Sequence, residues 1–421
     1  MEWQLAIVAA VVLAVAGVSR RLTGTSVTPT MAFVFIGILL GPLVAGELND
    51  APTGATIRTL AEATLAVVLF ADASRIKLRR LEREYAVPLR LLAIGLPLTI
   101  LAGALVAAGI FRELNAAEAV VLAVVLAPTD AALGQAVVTE PRLPSRIRQG
   151  LNVESGLNDG ICVPLLLIAL AVADVEDKAT TGQHALTIVG EEIGYGILGG
   201  LAAGVLAGAV VWIGHRRRLI AEAWLQVIPV AGAALAYGVA VALGGSGFIA
   251  AFLAGAIFGG LVPDQSEQAS RLNEEIGGLL GGVTFLIFGA VLLGPSIKHL
   301  GWQIVVYAVL SLTLIRMLPV AVAMIGSGAQ RQTVAFLGWF GPRGLASIVF
   351  AVLSVQEAHL AGAEPILRAA YVTIGLSVFA HGATAAPLAK RYSQWYERHR
   401  RPPMESVSVR DHRPRGPTSV Q

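Results

Sequence analysis

The sequence predicts an all-α polytopic membrane protein: about thirteen transmembrane helices, arranged as two inverted-topology six-helix repeats, each with a broken helix. Three observations carry this. Of 421 residues, 55% are hydrophobic and only 14% charged, with a mean hydropathy of +0.71, whereas a globular chain carries about 25% charged residues. Apolar runs of helical length recur along the chain, separated by charged or Pro/Gly punctuation. Two of those runs, one in each half, are interrupted by proline beside an ionisable residue. The composition excludes a cytosolic enzyme, a disulfide-stapled secreted module and a nucleic-acid reader. The single cysteine, Cys162, allows no intrachain disulfide or thiolate cluster and reads as a small buried filler.

A hydrocarbon core about 30 Å thick needs roughly 20 apolar residues per helix. In the first part of the chain, runs that approach this length cover about 3–18, 30–45, 58–73, 86–110, 117–138, 151–173 and 188–213. The remainder cover about 223–243, 248–262, 276–293, 302–325, 333–355 and 366–388. Several runs fall short of a perpendicular crossing, a mismatch met by local thinning of the bilayer. Repeats are read over about 1–173 and 223–388, with 188–213 as a connector, so that 1–388 forms the membrane domain.

Loop charge tests the count, because cytoplasmic loops collect Lys and Arg and each span changes side. One side receives Arg20, Arg21, Arg75, Lys77, Arg79, Arg80, Arg83, Arg142, Arg146, Arg148, Arg216, Arg217, Arg218, Arg271 and Arg331. The other receives Arg58, Arg112, Lys178, Lys298 and Arg368, with acidic residues such as Asp174, Glu176 and Asp177. The bias predicts an outside N-terminus, a cytoplasmic C-terminus and a plasma or inner membrane location. The opening MEWQLAIVAA lacks the basic start of a secretory signal and is expected to stay as a helix. Residues 389–421, rich in Arg, Pro and Ser, read as a basic, disordered tail near the headgroups.

Ionisable side chains at mid-membrane depth cost about 2.5–3.5 kcal/mol each on insertion scales, so they are kept where they pair, meet water or work. In the fifth run, Pro128 removes an amide donor and breaks the helix beside Thr129 and Asp130, which frees carbonyls that can bind a cation. The sixth run packs Glu154, Ser155, Asn158 and Asp159 into little more than one turn, an oxygen-rich wedge on a helix. Hard cations prefer such ligands, and a carboxylate among them can exchange an ion for a proton. Two intramembrane arginines need partners. Glu154 is the expected partner of Arg316, while Arg343 lies in a second interruption, Gly341-Pro342-Arg343-Gly344. If the broken helices cross, Asp130 neutralises positive half-helix ends and Arg343 negative ones. Asp72, at the inner end of the third run, either approaches the ion site or pairs with Arg75. His381 and Tyr237 read as packing residues, and Arg90 as snorkelling to the surface.

These elements, APTDAALG, NVESGLNDGI, LIRMLP and GPRG, resemble the monovalent cation:proton antiporter-1 family, the sodium/proton antiporters and exchangers, over almost the whole chain. The resemblance implies a homodimer whose subunits have a dimerisation domain and a moving core domain around two crossed broken helices. It places the ion site at Thr129, Asp130, Ser155, Asn158 and Asp159, the intramembrane ion pair at Glu154 and Arg316, the second arginine at Arg343 and an acidic neighbour at Asp72. By the same resemblance, the Asn-Asp pair at 158–159, rather than Asp-Asp, implies electroneutral one-for-one exchange. Many members follow the Thr-Asp of the first break with proline, whereas this chain has Ala131 there and Pro128 before it.

The expected activity is exchange of Na+, or of Li+ or K+, for H+ by competition at Asp159, the cation being held by Asp159, Ser155 and Thr129. A partly dehydrated cavity disfavours the ionised carboxylate and a bound cation favours it. The alternative is a cation channel or uniporter without obligatory proton exchange. An intramembrane serine protease using Ser155 and His381 fits poorly, since Val153 stands where that chemistry expects glycine. Neither an enzyme nor a cofactor is expected, nor a nucleic-acid partner; the partners are the transported ions, the bilayer and a second copy of the chain.

Overall fold

The computed structural model describes residues 2–22, 25–48, 53–75, 86–134, 137, 140–176, 182–263, 265–357, 360–399 and 404–405. Among these residues there is no strand. The helices, numbered along the chain, are α1 (Glu2–Leu22), α2 (Pro29–Leu48), α3 (Thr53–Ser74), α4 (Ala86–Ile110), α5 (Ala116–Val125), α6 (Ser145–Glu176) and α7 (Gly182–Arg216). They continue with α8 (Val227–Ala242), α9 (Gly247–Leu261), α10 (Arg271–Ile297), α11 (Trp302–Ala323), α12 (Arg331–Trp339), α13 (Leu345–Glu357) and α14 (Ala363–Arg398). Eight helices among the described residues are long and apolar enough to cross a membrane, and shorter apolar helices lie at Pro29–Gly41, Ala116–Val125, Gly247–Leu261 and Leu345–Ser354. The thirteen apolar runs are therefore not thirteen uninterrupted helices. Hydropathy averages over backbone breaks and cannot see them.

Local chemistry explains the breaks and joints. α5 starts on a reciprocal cap, in which Asn115 accepts the Glu118 N–H and Glu118 accepts the Asn115 N–H. It stops at Val125, before Pro128, and α12 stops at Trp339, before Pro342. Two π turns, Leu91–Gly95 in α4 and Phe288–Leu293 in α10, each sit just ahead of a proline, Pro97 or Pro295, which lacks the amide that would close a regular turn. In α7, glycines 196, 200, 204 and 208 fall every fourth residue and lie against Ser246, Ile249, Ala250, Ala254 and Leu261, at or within α9. A Cβ at Gly200 would stand 2.8 Å from the Ala250 carbonyl. Small residues thus let two backbones approach where lipid supplies no hydrophobic drive between helices.

α3 packs on α9 and α10, α7 on α8 and α9, and α2 on α10, while α5 packs between α4 and α6 and α11 against α14. α6 also meets α3 and α9.

The last helix departs from the hydropathy limit. α14 runs past Leu388 to Arg398 because Ala385, Ala389 and Tyr392 continue a buried stripe. The Tyr392 ring stacks on Phe336 at 4.4 Å, and its hydroxyl lies 2.8 Å from that of Thr333. Residues 389–398 of the expected tail are therefore ordered helix. Glu405 is buried too, accepting from Thr333 Oγ1 (2.6 Å) and Gln330 N (2.9 Å). Tail residues 400–403 and 406–421, the basic residues Lys77, Arg79, Arg80 and Arg83, and Asp177 and Lys178 lie outside the described residues.

Candidate functional site: two helix breaks against α6

Both breaks lie in mid-fold and are hydrogen-bonded to one another. The Asp130 N–H donates to the Pro342 carbonyl at 2.7 Å. The Asp130 carboxylate accepts from Ala132 N (2.8 Å) in its own break and from Leu345 N (3.3 Å), the first residue of α13. In the reverse direction, Arg343 Nη1 donates to the carbonyls of Ala127 (3.0 Å) and Pro128 (3.4 Å), just past the end of α5. An anion therefore faces the N-terminus of one half-helix and a cation the C-terminus of the other, where the unpaired amides and carbonyls carry opposite partial charges.

Glycine makes this approach possible. A Cβ on Gly344 would collide with the Asp130 carboxylate, and one on Gly341 with the Arg316 guanidinium. Gly344→Ala is therefore expected to push the two breaks apart and to lower stability by about 1.5–3 kcal/mol, the cost of displacing a charge-assisted hydrogen bond. Thermal unfolding of detergent-purified protein measures it, and an unchanged midpoint would refute the close approach.

α6 supplies the third wall. Its four polar residues are not a frayed first turn: Glu154 lies well inside the helix, which begins at Ser145. The Ser155 hydroxyl donates to the Thr129 carbonyl, and Asn158 Nδ2 donates to Thr129 Oγ1 at 2.6 Å. Both Thr129 oxygens thus tie the first break to α6. Asp159 is 5% exposed and Asn158 1%. Asp159 Oδ1 and Asn158 Oδ1 are buried and receive no hydrogen bond from any described residue. A small cavity of about 20 Å³ is lined by Thr129, Asp130 and Ser155 together with Gly134, Val137, Leu151 and Phe340. Asn158 and Asp159 lie further along α6, beyond the residues lining it. On the far side of Asp159, Gly160 abuts the Phe252 ring so closely that a Cβ would not fit.

Arg316 Nη2 lies 2.6 and 2.9 Å from the two carboxylate oxygens of Glu154, and both side chains are 2% exposed. Arg316 sits in α11 just past Thr313, where the helix is distorted (φ −112°, ψ −95°). Asp72 faces α6 at Gly156, where a Cβ would stand 3.4 Å from the Asp72 Cβ; Arg75 forms an ion pair with Glu274. Cys162 is fully buried in the central apolar cluster.

Three sequence readings need correction. Arg90 does not simply snorkel: its Nη1 donates to the carbonyls of Ala323 (3.2 Å) and Ile325 (2.8 Å), which end α11. Tyr237 is more than packing, because its hydroxyl donates to Glu62 at 2.7 Å. Glu62, a carboxylate inside the apolar stretch of α3 and ion-paired with Arg58, escaped the sequence reading although it is visible in LAEATLAVV. His381 also makes polar contacts with both ring nitrogens, described below. Its ring contacts lie at Trp339 and Ser377, while Ser155 bonds to Thr129, so they do not form a nucleophile–base pair.

Comparison with known proteins fits this geometry. The sequence pattern of the family described as "Sodium/hydrogen exchanger, transmembrane" matches residues 7–391. The K(+)/H(+) antiporter NhaP2 of Shewanella sp. strain MR-4 is 26% identical over 398 residues, covering 91% of this chain and 66% of that protein. A Na(+)/H(+) antiporter of Schizosaccharomyces pombe is 27% identical over 270 residues, covering 60% of this chain and 58% of that protein. The chain thus spans 66% and 58% of the length of these two relatives, less than two thirds of either. Among solved structures, the sodium proton antiporter MjNhaP1 of Methanocaldococcus jannaschii at pH 8 shares the fold, with a TM-score of 0.75 at 18% identity over 93% of this chain and 100% of that one. With its pattern matched over nearly its full length, the chain belongs to the transmembrane sodium/hydrogen exchanger family.

Proposed function

We propose that the protein is a secondary transporter that exchanges a monovalent cation, Na+ first and Li+ or K+ as alternatives, for protons across the membrane. One observation carries the reading. Two buried acceptor oxygens, Asp159 Oδ1 and Asn158 Oδ1, have no donor among the described residues and stand beside a helix break whose Thr129 is bonded to Asn158 and Ser155. An isolated ionised carboxylate in such a place is costly; either a proton or a cation removes the cost, and the two exclude each other. Thr129, Ser155, Asn158 and Asp159 are the proposed ligands, Asp130 the cap that sets the second break, and Asp72 an acidic neighbour across the α3–α6 contact. Glu154 is neutralised by Arg316 and carries no transported proton. With Asn158 in place of a second acid, one carboxylate takes one proton for one cation, which supports electroneutral exchange.

Only the loaded states pass the apolar barrier, since an empty buried carboxylate is expensive to move. The bias of basic residues to one side of the spans supports an outside N-terminus and a cytoplasmic C-terminus. The names of the relatives, which cover both K(+)/H(+) and Na(+)/H(+) antiporters, support cation/proton exchange and leave the ion to measurement. The deciding test is dequenching of a pH-sensitive dye in everted vesicles, titrated separately with sodium, lithium and potassium. A saturable response to at least one ion, unchanged when the potential is clamped, is expected. Conductance that follows voltage without proton movement would establish a channel instead.

A further inference from the structure

The second break is held open by a helix that supplies none of the proposed ligands. At Trp339 the half-helix α12 ends in an inverse γ-turn: Phe340 has φ −82° and ψ 68°, and the Gly341 N–H returns to the Trp339 carbonyl at 2.9 Å. The second lone pair of that carbonyl faces His381 Nε2 at 2.9 Å. A carbonyl only accepts, so the ring proton sits on Nε2. On the other rim of the break, the Arg343 N–H donates to Ser377 Oγ at 2.7 Å. That hydroxyl lies 3.1 Å from His381 Nδ1, which is also 3.0 Å from the Ser377 carbonyl. In the neutral ring Nδ1 accepts the Ser377 hydroxyl proton, and in the charged ring it donates to the Ser377 carbonyl; the Nε2–H bond to the Trp339 carbonyl holds in both. One continuous chain runs from Arg343 N–H through Ser377 Oγ and the imidazole to the Trp339 carbonyl.

Three of its four members are buried, Arg343 and Ser377 at 0% exposure and His381 at 1%, and the half-buried Trp339 closes it. The Trp339 ring lies 5.0 Å from the imidazole, and its Nε1 donates to Thr384 Oγ1 at 3.0 Å, so α14 also grips the side chain that ends α12. The Phe340 N–H still closes the last turn of α12 on Phe336, and the Gly344 carbonyl opens α13 by accepting from Ile348; between them Gly341, Pro342 and Arg343 make no helical hydrogen bond, yet Arg343, Pro342 and Leu345 are the groups that reach Ala127, Pro128 and Asp130. An unwound segment deep in the membrane needs partners for its freed backbone groups.

We propose that Ser377 and His381 are positioning residues that clamp both rims of the 340–344 break, and so set the affinity of the cation site by fixing where Arg343 and Pro342 meet the 127–130 break. The proposal deepens the exchanger reading and rests on it for its kinetic readout. If the clamp is lost, Arg343 backs away from the Ala127 and Pro128 carbonyls, and the Thr129 oxygens shift with them.

The test uses the full chain in proteoliposomes, with exchange measured against the best transported of the three cations. Ser377→Ala, which removes one oxygen at nearly unchanged volume, and His381→Ala are expected to raise KM about tenfold, or about 1.4 kcal/mol, with Vmax reduced less. His381→Gln keeps a donor at the Nε2 position and is expected to hold KM within about threefold of the wild type, which a loss of packing alone would not produce. A wild-type KM in Ser377→Ala overturns the proposal even where His381→Ala does not fold. Equal impairment in the Gln and Ala variants at 381 overturns the role of the hydrogen bond. Hydrogen–deuterium exchange at residues 341–345 separates this from a failure of the transport reading. A wild type without transport refutes the exchanger, whereas the clamp stands or falls on whether Ser377→Ala accelerates exchange of the Arg343 amide.

Discussion

Asp159→Asn is expected to reduce cation-driven proton movement in everted vesicles to the level of vesicles without the protein, while insertion and folding persist. The amide fills the same volume at 5% exposure but neither ionises nor releases a proton, so the competition on which exchange depends has no substrate site. Under the proposed competition the apparent KM of the wild type for the cation is expected to rise as pH falls, approaching about tenfold per pH unit where the proton saturates the site, because the cation then binds only the deprotonated form. Sodium-driven proton flux that survives in Asp159→Asn would remove the carboxylate from the mechanism, whatever its burial.

Arg316→Ala is expected to be the most destabilising single change in the site region. It leaves the Glu154 carboxylate, 2% exposed, without its cation, and breaking one side of a buried pair costs about 3–5 kcal/mol. The same substitution opens space beside Gly341, whose close approach to the Arg316 guanidinium shapes the second break. Replacing both partners, Glu154→Met with Arg316→Met, is expected to recover most of the loss, because the desolvation cost of both charges disappears with them. Thermal unfolding of detergent-purified protein measures both. A single variant as stable as the wild type, or a double variant worse than the single, would show that the pair is not the energetic unit its geometry describes. Glu154→Gln is a milder probe, since the amide oxygen still accepts from Arg316 Nη2.

Much of the fold was legible in the chain because lipid imposes a one-dimensional rule. A helix that meets hydrocarbon must be apolar along its length, so spans, breaks and membrane class follow from local composition. For the same reason Pro128, Asp130, Glu154, Asp159, Arg316 and Arg343 stood out as costly exceptions. Glu62 stood out less only because Arg58 sits one turn away and drew the segment end toward it. The extension of α14 to Arg398 was hidden because Lys390 and Arg391 dominate the average, while the stripe through Tyr392 that anchors the helix spans only one face.

The sequence by itself determined which solvent this protein occupies, which family pattern it carries, and which polar groups it keeps in the hydrocarbon at a cost. Tertiary structure alone decided who satisfies whom: Thr129 with Ser155 and Asn158, Asp130 with Pro342 and Leu345, Arg343 with Ala127 and Pro128, His381 with Trp339. Hydropathy is a property of one segment, whereas these hydrogen bonds join residues far apart in the chain. Their geometry is set by how closely Gly341 and Gly344 let the two breaks approach, and it exists only once the helices have packed.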